Sequence, residues 1–221
     1  MKCRLQIVAT SPGGAGDRCA PSKLLFLPGA SGNTRFWQPV AELLKYPAAH
    51  QHVGWPGFGA TPPDPAINSF DDLVANVMTA VDQPTALIAQ SMGGVIALRA
   101  ALERPSLVTH LVLTVTSGGI DISDLGAQDW RPDFAKANPS LPGWFSTLRL
   151  DLAAHLVSVK APTLLLWGDA DPISPVAVGQ RLAGLIPNAR LEVLAGGTHD
   201  LASVLAHRVA PLIDEHLATH P

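Results

Sequence analysis

Long apolar runs, basic clusters and a cysteine framework are missing from this sequence, and each absence removes a class of function. The longest apolar stretches are short and stop at Gly, Pro or Asp. None approaches the roughly 20 residues of a membrane-spanning helix, so no membrane partner is expected. Two cysteines, Cys3 and Cys19, are too few for a disulfide scaffold. Charged residues make up only 15% of the chain, the net charge is −3 and no Lys/Arg cluster occurs. That balance argues against nucleic acid as a partner. Residues 1–10 lack the apolar core and small-residue cleavage site of a secretory signal, and a cytoplasmic location is the expectation. Internal repeats are absent too.

What is present is 221 residues of 47% hydrophobic content, enough for one substantial core in one domain, residues 1–221. Twenty prolines and nineteen glycines fall between apolar runs and punctuate a folded chain. Short apolar runs predict strands at residues 3–10, 23–27, 50–54, 85–89, 109–116, 163–167 and 189–194. Helical spacing predicts helices at about 35–44, 69–81, 95–104, 175–186 and 201–217. Only residues 120–160, with Trp130, Pro132, Pro139, Pro142, Trp144 and Phe145, break the alternation. Strands alternating with helices require a mostly parallel sheet covered on both faces, an α/β fold whose ligand edge lies at the carboxyl ends of the strands.

Three strand ends carry reactive groups. The run Leu87-Ile-Ala-Gln-Ser-Met-Gly-Gly-Val95 passes from strand through a sharp turn into a helix at Ser91. A serine there is held clear of the sheet, beside the unpaired N–H groups and positive end of the helix. The bland reading is a turn serine or a helix cap. A serine hydroxyl needs a base, and a histidine base needs a carboxylate to fix its tautomer. His199 follows the strand at 189–194, and Asp169 and Asp171 follow the strand at 163–167. The other histidines read as packing or surface residues; His50 and His52 alternate on one strand, yet no further metal ligand joins them. Asp169 reads as a loop-ordering residue and Asp200 as a helix cap. Gly57 and Gly59 lack the Gly-x-Gly-x-x-Gly context of a dinucleotide site.

The Ala89-Gln-Ser-Met-Gly93 string resembles the Gly-x-Ser-x-Gly nucleophile elbow of the α/β-hydrolase superfamily, with Ala89 in place of the first glycine. Leu27-Pro-Gly-Ala30 is similar to the family's oxyanion loop, Pro28 replacing the usual histidine. Trp55-Pro-Gly-Phe-Gly59 is similar to its Gly-x-Gly loop, and Trp167-Gly-Asp-Ala-Asp-Pro172 to its acid-bearing loop. The order Ser, Asp, His also matches. The resemblance implies an α/β-hydrolase fold with residues 120–160 as a short lid. It implies Ser91 as nucleophile, His199 as base, Asp171 as acid with Asp121 as the other candidate, and the amides of Ala30 and Met92 as the oxyanion hole. The implied activity is hydrolysis of small-molecule carboxylic esters or thioesters, with no metal or organic cofactor. Trp130, Trp144 and Phe145 are either substrate-pocket residues or the core of the lid. A lid this short predicts a fairly open site with limited selectivity for the acyl chain. The alternative is a non-catalytic protein that uses the same fold to bind a small apolar ligand. Oligomeric state is not legible.

Overall fold

The computed structural model describes residues 20–220 except Ser140. The strand expected at 3–10, and both cysteines, lie outside the described residues. Six strands form one sheet: β1 (Lys23–Leu27), β2 (Ala49–His52), β3 (Thr85–Gln90), β4 (Val108–Thr114), β5 (Thr163–Gly168) and β6 (Ala189–Leu194). Their spatial order is β2-β1-β3-β4-β5-β6 and every pairing is parallel. β1, β3, β4 and β5 are buried along their whole length. This is why their sequences run apolar without alternation: both faces are covered. The edge strands β2 and β6 are largely open to solvent, and Arg190 and Glu192 place charge on the β6 edge.

Strand order reverses about β1, since the chain leaves β1 for β2 and then crosses back to β3. A crevice opens at such a reversal beyond the carboxyl ends of the strands. The loop after β1 and the turn after β3 border it.

The helices are α1 (Gln38–Ala41), α2 (Phe70–Thr79), α3 (Met92–Glu103), α4 (Arg131–Ala137), α5 (Trp144–Thr147), α6 (Val176–Leu185), α7 (Leu201–Val204) and α8 (Ala206–Leu217). α2 starts where Ser69 Oγ accepts the Asp72 N–H at 3.1 Å, with Asp71 and Asp72 at the positive helix end. It buries Phe70, Leu73, Val74 and Val77, a helical stripe. α3 is buried at nine of twelve positions, as suits a helix packed against β1, β3, β4 and α2.

Two expected helices are shorter than their periodicity. The helix expected at 35–44 is one turn of α1, because tight turns with Phe36 N–H on Asn33 O and Gln38 N–H on Arg35 O lead into it. The helix expected at 201–217 breaks at Leu205, whose φ of −107° and ψ of 32° separate α7 from α8. Within 120–160, α4 and α5 join two short 3-10 turns. Leu152 N–H donates to Gly119 O at 2.9 Å, closing the base of this segment.

Candidate active site

Ser91 is the first residue past β3 and the cap of α3, with φ 52° and ψ −118°. A left-handed serine costs of order 1–3 kcal/mol and persists only where its surroundings enforce it. Here they do. Its N–H donates to Thr114 O at 3.0 Å, and Gly94 N–H donates to Ser91 O at 2.9 Å. Gly93 explains the small residue after the serine: a Cβ there would strike the carbonyl oxygens of Leu27 and Pro28. Gly94 likewise leaves room for the Thr116 side chain. The Ser91 hydroxyl makes no cap bond to α3 and lines a cavity of about 610 Å³.

Two indoles hold the loop after β1. Trp37 Nε1–H donates to Leu27 O at 3.0 Å, and Trp55 Nε1–H to Gly29 O at 2.8 Å. Both rings are buried. Their bonds consume carbonyls of the loop and fix its peptide planes, while Ala30 N–H takes no backbone partner among the described residues. Met92 is the first residue of α3, so its N–H belongs to the orphan donors of a helix start. Gly29 has no room for a side chain, because Gln90 and Ser91 press against it.

Across the cavity, His199 Nδ1–H donates to Asp171 Oδ2 at 2.8 Å. A carboxylate only accepts, so this bond assigns the proton to Nδ1 and leaves the Nε2 lone pair free to act as a base. The Asp171 side chain is fully buried while that of His199 is 21% exposed. Asp171 Oδ1 also accepts Ile173 N–H at 2.8 Å. The loops carrying the pair are tied to each other: Asp169 Oδ1 accepts Gly196 N–H at 2.7 Å, and Ala170 N–H donates to Gly197 O at 2.9 Å. Gly168 and Gly197 meet backbone to backbone, where a Cβ would not fit. Gln90, one residue before the elbow, donates through Nε2 to His199 O at 3.3 Å. Among the described residues no hydrogen bond joins Ser91 to the His199 ring; both face the one cavity. Bonds of this type tighten when substrate is bound.

A family profile described as alpha/beta hydrolase fold matches residues 23–161. The chain belongs to the α/β-hydrolase family. A pimeloyl-[acyl-carrier protein] methyl ester esterase of Legionella pneumophila (strain Paris) is 26% identical over 215 residues, 80% of this chain and 87% of that protein. An esterase from Exiguobacterium antarcticum superposes with a TM-score of 0.75 at 15% identity, covering 90% of this chain and 93% of that one. A hydrolase from Pseudomonas aeruginosa PA01 gives 0.72 at 19% identity, with 94% and 92% covered. The two solved structures share the fold.

Within this α/β-hydrolase, Asp171 and not Asp121 is bonded to His199. Asp121 is spent locally: its Oδ1 accepts Ser123 N–H at 2.9 Å, and that bond holds its pKa below the ordinary value. Trp130 and Phe145 line the cavity, with Phe70, Val95, Val115 and Ile120. Trp144 does not line the cavity; its ring packs on Phe58 at 5.8 Å and Phe70 at 6.3 Å, the lid-core alternative. His50 and His52 are packing residues against Phe26, at ring distances of 5.3 and 4.6 Å. Among the described residues no group of three His, Cys, Asp or Glu side chains could hold a metal. Gln90, Trp37 and Trp55 were not singled out by the sequence; their contacts join positions from 10 to 109 residues apart.

Proposed function

We propose that this α/β-hydrolase cleaves carboxylic esters through an acyl-Ser91 intermediate, with thioesters open to the same chemistry. The observation that carries the reading is the 2.8 Å bond from His199 to a fully buried Asp171, at the wall of the cavity that Ser91 lines. The esterase named above, similar along most of both chains, supports ester bonds as the substrate class.

In the proposed reaction His199 Nε2 takes the hydroxyl proton as Ser91 Oγ bonds to the ester carbonyl carbon. Asp171 stabilises the imidazolium that results. The carbonyl oxygen becomes an oxyanion facing the N–H groups of Ala30 and Met92, donors each worth about 2.7–4 kcal/mol in this type of site. As the tetrahedral adduct collapses, the carbon–oxygen bond to the alcohol breaks and His199 protonates that alcohol. Water then attacks the acyl-Ser91 ester, giving its proton to His199, and the second collapse returns that proton to Ser91 and releases the acid.

Segment 120–160 serves as a short lid in this reading, and the site accepts acyl chains of varied length. Esters of p-nitrophenol from acetate to octanoate are expected to differ in kcat/KM by no more than about a hundredfold, because in an open site most of the added methylenes stay in solvent and only one seated in an apolar pocket contributes about 1–3 kcal/mol. Turnover of one bulky ester alone would contradict this breadth. The decisive test is intact mass after treatment with a serine-reactive fluorophosphonate, beside Ser91→Ala. One adduct, mapped to Ser91 and lost in the variant, is the expected result. No adduct on the folded protein would instead favour a ligand-binding protein that lacks catalysis.

A further inference from the structure

Among the described residues two that are not glycine hold a left-handed backbone, Ser91 at φ 52° and Val115 at φ 43°. They are neighbours. Gln90 of β3 pairs with Thr114 of β4, so each strained residue is the first beyond its strand, at the same edge of the sheet. For Ser91 the strained turn presents a hydroxyl. For Val115 that reason is missing, and a branched Cβ is the least suited of side chains to positive φ.

The turn itself has an evident use. It carries Thr116 under the start of α3, against Gly94, and lets Thr116 O accept the Ser174 hydroxyl at 3.5 Å, beside the loop that bears Asp171. Glycine would make that turn without penalty, as Gly118 and Gly119 do three and four residues on at φ 63° and 74°. What glycine would not supply is a side chain. Val115 as a residue is packed to 2% exposure and belongs to the cavity wall with Ser91, Val95 and Ile120. Adjacent strands lie about 4.8 Å apart, so a valine in this place crowds the first substituent of any carbonyl bonded to Ser91.

We propose that Val115 is a specificity-determining residue, its rigid branched side chain admitting a straight acyl group beside Ser91 and rejecting one branched at the carbon next to the carbonyl. The inference rests on the ester-hydrolase reading above. Chain length is set farther out by the open lid, whereas branching is decided here.

The test compares wild type, Val115→Ala, Val115→Ile and Val115→Gly on p-nitrophenyl propionate, isobutyrate and pivalate, with Ser91→Ala as blank and calorimetric melting of each protein. Val115→Ala should raise the isobutyrate-to-propionate ratio of kcat/KM by about tenfold or more, and Val115→Ile should lower it, opposite shifts that a purely structural residue would not give. Val115→Gly should melt above Val115→Ala, the reverse of the usual order, because only glycine relieves the strained φ. Unchanged ratios in an active enzyme, or a glycine variant melting below the alanine one, would overturn the assignment while leaving the esterase reading intact. A wild type that hydrolyses none of these esters and takes no fluorophosphonate at Ser91 would overturn both.

Discussion

Each residue of the candidate site is held by groups that take no part in the chemistry, and the consequences of removing them differ. Asp171→Asn should keep the fold, since Oδ1 can still accept Ile173 N–H. It no longer demands a proton on His199 Nδ1, and kcat should fall by about 10⁴. Trp55→Phe is subtler, leaving Gly29 O without its buried donor. The loop that presents Ala30 N–H then relaxes, and steady-state kinetics should show kcat reduced about 10- to 100-fold with KM little changed. Ser91, Asp171 and His199 stand out in the sequence because each follows an apolar run and each brings a distinctive functional group. The indoles do not, because tryptophan beside an apolar run reads as core until the carbonyl it meets is known.

At the scale of elements, α3 and α8 show what packing demands. Gly93→Ala should lower Tm by roughly 3–10 °C in a thermal scan, because the methyl meets two carbonyl oxygens of the β1 loop and helix or loop must shift. α8 carries His216, 5% exposed, with Nε2–H on Leu111 O at 3.0 Å. Burial first, and the nearby His110 next, push its pKa down to about 4. Unfolded, the same ring titrates near 6.5, so between those values the unfolded chain binds a proton that the native one does not. Stability should therefore fall as pH drops from 6.5 towards 4, by about 3 kcal/mol in all. Urea unfolding at pH 7.5 and 4.5 measures it, and His216→Gln should shrink the difference. Helical spacing puts His216 on the buried stripe of α8, three residues after Ile213, and leaves His207 off it, but the carbonyl that His216 bonds is 105 residues away and not legible. α8 itself was legible through its apolar stripe, but its separation from α7 turns on the backbone of one residue, Leu205.

For the whole molecule, the parallel sheet was readable because buried central strands need no polar face, and four of them run apolar throughout. Their spatial order was not, since the crossover that sets β1 between β2 and β3 leaves no mark on the residues of either strand. Segment 120–160 resisted reading for another reason: its helices are short and lean on aromatic contacts to distant residues, such as Phe145 on Phe58 at 5.6 Å. The closed base of that segment, where Leu152 meets Gly119, has an inheritance of its own. Ser91 lies before it in the chain and the bonded pair Asp171 and His199 after it, so none of the three is carried by the span between. We propose that the span is a transplantable cassette. A chimera with another family member's insertion between residues 119 and 161 should still react with a fluorophosphonate at Ser91, while its choice of ester follows the donor.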